Sequence, residues 1–294
     1  MGNILDDAKK IKVLDKSGML NLLMGMDNQF REAKEIGENF KPVNLSGDGV
    51  NNIVFTGLGG SAIGADLVRS YTADEIKVPV IVNRNYTLPD FVDERTLLFV
   101  LSYSGNTEET LSAYKIARNK KAGIMAISSN GRLESLARQD GINFIKIPAG
   151  YPPRCALGYS FIPLLMALGK LSFIEDKSSE IDETVNVLSS LKDELRAEAP
   201  PSSNIAKEIA LALHRKFPVI YGSNDHVDVA VTRWRGEFAE NSKHLASSHL
   251  FPEMNHNEIV GWDFPSELLN KFVPVFLRDT KDHKRVAVRM DITK

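Results

Sequence analysis

Two segments of this 294-residue chain share one pattern: a short apolar strand, a turn of glycine and hydroxyl residues, then helix-forming sequence. The first is Asn52-Ile53-Val54-Phe55-Thr56 running into Gly57-Leu58-Gly59-Gly60-Ser61-Ala62-Ile63-Gly64. The second is Leu97-Leu98-Phe99-Val100-Leu101 running into Ser102-Tyr103-Ser104-Gly105-Asn106-Thr107. Apolar strands without alternation belong to parallel sheets covered on both faces. Parallel strands in turn require crossover connections, usually helices. Each turn brings unpaired backbone N–H groups and small hydroxyls to a helix N-terminus, which favours an anion. Phosphate is the first candidate, and two such turns on neighbouring strands predict one phosphorylated ligand held from two sides.

The rest of the chain fits that frame. Strands are predicted at 52–56, 78–82, 96–101, 123–127 and 143–147, and helices at 61–71, 107–119 and 131–139. The fold class is therefore α/β, with doubly wound parallel sheets flanked by helices. An N-terminal helical segment, 1–44, is expected to pack on the core; its apolar spacing over 4–36 breaks near Gly18. Residues 148–153 close the first sheet and lead to a helix over 156–171. The apolar run 156–173 contains Pro163, Gly169 and Lys170, which suits a buried core helix and not a membrane span. A boundary is expected near 173–176, followed by charged, Ser-rich sequence with helical stretches and a break at Pro200-Pro201. The pattern then restarts: strand 218–221, turn Gly222-Ser223-Asn224-Asp225, helix from about Val227, strand 273–277, and a helix from near Asp282. This predicts a first domain over 45–174 and a second over 175–294, the second incomplete at its C-terminal end.

A formal net charge of -2 with 25% charged residues gives no global attraction to nucleic acid or membrane. A single cysteine, Cys155, precludes an internal disulfide and fits a reducing, cytoplasmic setting. The opening Met1-Gly2-Asn3-Ile4-Leu5-Asp6 lacks a signal-peptide pattern, and Asp6 stands where a myristoylation site wants Ser or Thr.

The first turn also fits the dinucleotide pattern G-x-G-x-x-A at Gly57, Gly59 and Ala62. That pattern wants an acidic residue at the end of the second strand, where this chain has Asn83-Arg84-Asn85. Arg84 would suit a phosphorylated ribose, so an NADP-type reading stays open as an alternative. In the second turn, Thr107 is a good N-cap, with Glu108 and Glu109 in the first helical turn. Capping accounts for one hydroxyl; Ser102, Ser104 and Thr107 around Gly105 exceed it.

Gly57-Leu58-Gly59-Gly60-Ser61 together with Ser102-Tyr103-Ser104-Gly105-Asn106-Thr107-Glu108-Glu109-Thr110 resembles the sugar isomerase (SIS) domain. Three later segments sharpen the resemblance: Pro153-Arg154-Cys155-Ala156-Leu157-Gly158, Gly236-Glu237-Phe238-Ala239-Glu240-Asn241-Ser242-Lys243 and Pro252-Glu253-Met254-Asn255-His256-Asn257. In this order, over about 45–294, they are similar to the bifunctional phosphoglucose/phosphomannose isomerases, which carry two SIS domains in tandem. The resemblance implies interconversion of glucose 6-phosphate, and mannose 6-phosphate, with fructose 6-phosphate by proton transfer between C1 and C2. It implies phosphate binding by Gly59, Gly60, Ser61, Ser102, Ser104 and Thr107. Arg154 would face the reacting carbons, Glu240 would shuttle the proton, and His256 would help open the sugar ring. In the family that histidine comes from the neighbouring subunit, which implies a homodimer. Family members also extend beyond the position of residue 294, where a threonine associated with accepting both C2 epimers is found.

The chemistry agrees with those roles. One carboxylate over the C1–C2 edge can remove and return the proton, a fixed guanidinium can stabilise the developing oxyanion, and histidine suits ring opening near neutral pH. No cofactor and no metal is required. His244 and His249 bracket a short segment without a metal-binding pattern. Glu237 precedes Glu240 by three residues, on nearly the same face of a helix, and spacing alone does not choose between them. Cys155 reads as a packing residue, and Trp234 and Trp262 as core or dimer contacts. The alternative function is a non-catalytic phosphosugar-binding regulator.

Overall fold

The computed structural model describes residues 5, 7–224 and 226–294. By its contacts the chain divides into two compact units. One is Lys12–Glu194; the other is Leu195–Lys294 together with the described residues up to Ile11.

The first unit opens with helices. α1 (Ala8–Leu14) straddles the division, and α2 (Met19–Met24) and α3 (Met26–Asn39) follow. Gly18, left-handed at φ 66°, breaks the helical run where the sequence predicts it. The sheet follows: β1 (Asn52–Thr56), α4 (Gly59–Tyr71), β2 (Val80–Asn83), β3 (Thr96–Leu101), α5 (Glu108–Asn119), β4 (Gly123–Ser128), α6 (Gly131–Asp140) and β5 (Asn143–Lys146), then α7 (Leu157–Lys170) and α8 (Ser178–Leu195). All five strands are parallel, in the order β2-β1-β3-β4-β5. β2 starts two residues later than predicted because Pro79 has no N–H for the ladder, although its carbonyl accepts from Ile53 N at 2.9 Å.

Period-two alternation sends side chains to both faces. Ile53, Phe55, Leu97 and Phe99 meet α3, α4 and α7 on one face, where Ile181 and Val185 of α8 join the same core. Val54, Leu98, Val100, Leu111, Tyr114 and Leu133 form the other. α7 is buried around nearly its whole circumference, as its composition predicts. Gln29 of α3 clamps its start: Gln29 Nε2 donates to the Cys155 carbonyl at 2.7 Å, and Gly158 N donates to Gln29 Oε1 at 2.8 Å. From β1 the chain moves to β2 on one side and then to β3 on the other. The carboxyl ends of β1 and β3 therefore flank the switch point where doubly wound sheets bind ligands.

The second unit contains α9 (Ile205–Ala212), β6 (Phe217–Ser223), α10 (Asp228–Glu237), β7 (Ser247–Phe251), α11 (Ser266–Leu269), β8 (Phe272–Phe276) and α12 (Lys284–Thr293). Its sheet is parallel in the order β7-β6-β8. The expected turn at 222–225 is corrected at its start: Gly222 and Ser223 remain in β6, with Ser223 opposite Phe251. Asp225 lies outside the described residues, as do Met1, Gly2, Asn3, Ile4 and Asp6 of the N-terminal reading. Strand β7 was not predicted: Ser247, Ser248 and His249 carry no apolar pattern, and only Phe251 of its five residues is fully buried. Among the described residues no helix is long and apolar enough to cross a membrane.

Candidate active site

The two glycine and hydroxyl turns meet at the carboxyl ends of β1 and β3, which pair in parallel with Thr56 opposite Val100. Gly59, at φ 52°, starts α4 in a conformation that a side chain disfavours. At the first turn of α4 the backbone N–H groups of Ser61 and Ala62 donate to the Leu58 carbonyl at 3.2 and 3.4 Å, leaving the amides of Gly59 and Gly60, its first two residues, as those with no acceptor inside the helix. Ser61 Oγ accepts from the backbone N–H of Tyr103 at 3.2 Å, which ties the first turn to the second. Ser102 and Thr107 share a hydroxyl–hydroxyl bond of 2.9 Å, and Thr107 N leans on Ser102 Oγ at 3.5 Å. Ser104 Oγ accepts from Asn106 N at 3.2 Å, and the residue is exposed at the rim. Thr107 does occupy the N-cap position of α5, but its hydroxyl makes no capping bond. The capping explanation for that residue is thus corrected: its hydroxyl serves the turn.

Gly105 has φ 68°, and a Cβ there would stand 1.7 Å from the Asn130 carbonyl. The turn is therefore pressed against the β4–α6 loop and only glycine fits. A Cβ on Gly60 would come within 2.6 Å of the Pro153 carbonyl. That close approach brings the Pro153–Cys155 turn, and Arg154 with it, to the first turn of α4. Arg154 is half-buried, with Nη2 3.8 Å from Met19 Sδ. Cys155 is buried beside the same sulfur, as a packing residue should be. The first unit thus brings Gly59, Gly60, Ser61, Ser102, Ser104 and Thr107 together with the turn that carries Arg154 in one cradle.

Tyr103, passed over in the sequence, is central to this cradle. Its hydroxyl donates to the Pro148 carbonyl at 3.0 Å and accepts from Tyr151 N at 2.9 Å. Burial pushes its phenol pKa up. The only sequence signal was its place between two serines. Arg84, the candidate for a phosphorylated ribose, is ion-paired with Asp66, and Asn83 Nδ2 donates to Thr56 Oγ1 at 3.3 Å. The feature that kept the dinucleotide reading open is thereby taken up within the fold.

Glu240 and His256 lie in the second unit, on different elements. α10 ends at Glu237, and Glu240 sits on a five-residue π-helical turn, Phe238–Ser242. Such turns are frequent at functional sites. The expectation of one shared helical face for Glu237 and Glu240 is corrected accordingly. Glu237 is engaged on both oxygens, by Arg233 at 2.9 Å and by Asn241 Nδ2 at 2.6 Å. Glu240 is exposed, and its backbone carbonyl accepts from Lys243 Nζ. His256 is exposed on the short 3₁₀ turn Glu253–His256 that follows β7, anchored by the buried Met254. Trp262 packs in the core of this unit, donating from Nε1 to Tyr221 OH at 2.8 Å. Trp234 packs edge-on to Phe238 at 6.3 Å. His244 Nδ1 lies 2.8 Å from the Leu245 carbonyl, and His249 is in β7; among the described residues no group of three His, Cys, Asp or Glu could hold a metal ion.

The cradle at the β1–β3 switch point defines a class, and the sequence profile of that class, the SIS domain, matches residues 49–174. A second profile, the bacterial phospho-glucose isomerase C-terminal SIS domain, matches residues 202–294. The bifunctional phosphoglucose/phosphomannose isomerase of Caldicellulosiruptor bescii is 50% identical over 276 residues, covering 94% of this chain and 81% of that protein. The enzyme of the same name from Thermoplasma acidophilum is 43% identical over 83% of this chain and 72% of its own length. Among solved structures, the C-terminal domain of glucosamine-fructose-6-phosphate aminotransferase from Francisella tularensis superimposes with a TM-score of 0.63 at 16% identity, covering 96% of this chain and 82% of that one. That likeness supports the fold alone. The chain belongs to the family of bifunctional phosphoglucose/phosphomannose isomerases.

Proposed function

We propose that this protein is an aldose–ketose isomerase that interconverts glucose 6-phosphate, and mannose 6-phosphate, with fructose 6-phosphate. The observation that carries the reading is the junction of both hydroxyl turns with the Arg154 turn in one cradle, in a chain of this family. Ser61, Ser102, Ser104, Thr107 and the first amides of α4 receive the phosphate. Arg154 stabilises the oxyanion that builds as C2 or C1 loses its proton. Glu240 takes that proton and returns it to the neighbouring carbon, through a cis-enediol. Glu237, whose carboxylate is engaged by Arg233 and Asn241, is the other candidate for the base. His256 moves the proton from the C1 hydroxyl to the ring oxygen during opening. A binding protein without turnover is not favoured, since the named relatives are isomerases.

The topology of the second unit supports a homodimer with His256 donated across the interface. α10 runs back antiparallel to β6, so Glu240 lies near the amino ends of the strands, whereas His256 follows the carboxyl end of β7. The two groups stand at opposite ends of one sheet. Each site therefore draws Glu240 from one copy and His256 from the other.

A coupled assay for fructose 6-phosphate tests the assignment. Glu240→Gln should lower kcat by roughly a hundredfold to ten-thousandfold, the range for a lost general base, with sugar-phosphate affinity nearly unchanged. An unaltered rate removes Glu240 from the mechanism. Absence of turnover in the wild-type protein, with a phosphosugar still raising its Tm, restores the binding-protein reading.

A further inference from the structure

We propose that Tyr103 is a positioning residue that couples the phosphate turns to Arg154. The inference rests on the reading of the cradle as a phosphosugar site with Arg154 at its reacting end. Three segments of the cradle meet on this one residue. Its backbone N–H donates to Ser61 Oγ at 3.2 Å, at the first phosphate turn. Its backbone carbonyl accepts from Ser129 N at 3.1 Å and Ser129 Oγ at 2.6 Å, which fixes the second turn to the loop after β4. Its phenol spans the segment leading to Arg154, donating to Pro148 O at 3.0 Å and accepting from Tyr151 N at 2.9 Å.

The phenol's proton and an acceptor position are thus committed to backbone. The group is a brace and not a ligand for the sugar. Besides the Gln29 clamp on the Cys155 carbonyl, two supports bear on the Arg154 turn from opposite sides. From one side, the contact with Gly60 leaves no room for a side chain. From the other, the Tyr103 hydroxyl holds the strand of chain from Pro148 to Tyr151 that enters the turn. Tyr151 is itself fixed by its ring, edge-on to Tyr159 at 5.4 Å. A displacement of the second phosphate turn therefore carries the Arg154 segment with it. Occupying the phosphate site rigidifies the guanidinium's platform, and binding energy at the phosphate is used at the reacting carbons.

Tyr103→Phe keeps the ring and deletes both phenol bonds. Amide hydrogen exchange of the protein is read with and without glucose 6-phosphate. In the variant, residues 148–156 should exchange about tenfold faster, a local opening, with α3 and β1 unchanged. In the wild type, glucose 6-phosphate should slow the same segment; in the variant that response should be lost. In kinetics, kcat should fall about tenfold with KM within about threefold of wild type, the pattern of a lost transition-state interaction. In an Arg154→Lys background the same change should cost less than about twofold, because both act through one group. Unchanged exchange at 148–156 overturns the proposal, and so does an equal loss of kcat in both backgrounds, the result for a merely structural tyrosine. If the wild type has no isomerase activity, the isomerase reading fails on its own, and the exchange measurement still decides whether Tyr103 couples the two segments.

Discussion

Subunit complementation tests the division of labour between Glu240 and His256. The perturbation is a pair of variants, Glu240→Gln and His256→Ala, purified alone and then co-expressed with two affinity tags. The magnitude follows from topology. α10 is ten residues long, and a helix of that length runs about 15 Å back along the sheet. β7 then crosses the sheet in the other direction over five residues, about 16 Å of extended chain. Glu240 stands at the start of that path and His256 past its end. On the proposed reading both act within about 3 Å of adjacent atoms of one sugar, so each site draws the two groups from different copies. In a mixed dimer, one site then receives both mutated residues and the other receives neither. With random pairing, half of the dimers are mixed and about one quarter of all sites are intact, so the co-expressed pool should recover about a quarter of wild-type kcat. Doubly tagged dimers should recover about half, with wild-type KM. The reasoning is refuted if the mixed population shows no more activity than the sum of its parents, because His256 would then serve the site of its own copy.

Two further predictions concern stability. Gly105→Ala places a Cβ 1.7 Å from the Asn130 carbonyl at φ 68°, whereas Gly141→Ala, at φ 64°, meets nothing within 4 Å. Both should lose the roughly 1–2 kcal/mol of a left-handed alanine; only Gly105→Ala should lose more in calorimetry and weaken phosphosugar binding, and equal losses would refute the steric argument. Burial, reinforced by a hydrogen-bonded carboxylate, raises the phenol pKa of Tyr159 on Glu32, Tyr114 on Asp140 and Tyr221 on Glu258. The folded chain then keeps protons that the unfolded chain releases near pH 10, so stability is full below about pH 10 and declines above it. Tyr159→Phe should flatten that alkaline decline in denaturant titrations of the first unit, and an unchanged slope would refute the attribution.

The first unit was legible because its central strands β1, β3 and β4 are buried almost throughout and announce themselves as unbroken apolar runs. The glycine and hydroxyl turns were legible because a tight strand-to-helix turn takes glycine and small hydroxyl residues locally. Two features were hidden for opposite reasons. β7 is half-exposed and polar in sequence, so parallel pairing with β6 defines it, not its own residues. The π turn at Phe238–Ser242 continues the helical direction of α10 without a punctuating residue, so a three-residue spacing of carboxylates read as one face. Thr107 misled in a third way, since its capping propensity was real while its hydroxyl was engaged by Ser102, five residues back in the same turn. Beyond its place between two serines, Tyr103 carried no signal, because both partners of its phenol are backbone atoms more than forty positions away.

The site residues on the first unit differ in how they tolerate change, and the difference follows from what each touches. Ser104 is exposed at the rim and its hydroxyl makes one local bond, so it is the hydroxyl with most freedom to adapt to a ligand. Ser61 and Ser102 are buried, at 8% and 2% exposure, and each is already bonded within the cradle. Their hydroxyls are thus held in place before any ligand arrives, which limits the ordering cost of binding. Gly60 and Gly105 let the backbones of three loops touch, at Pro153 and Asn130, with no side chain between them. A cradle built in this way has few independent parts. On the proposed assignment, phosphate bound at the hydroxyl turns is mechanically close to the segment that carries Arg154, and a sugar lacking its phosphate should lose turnover and not affinity alone.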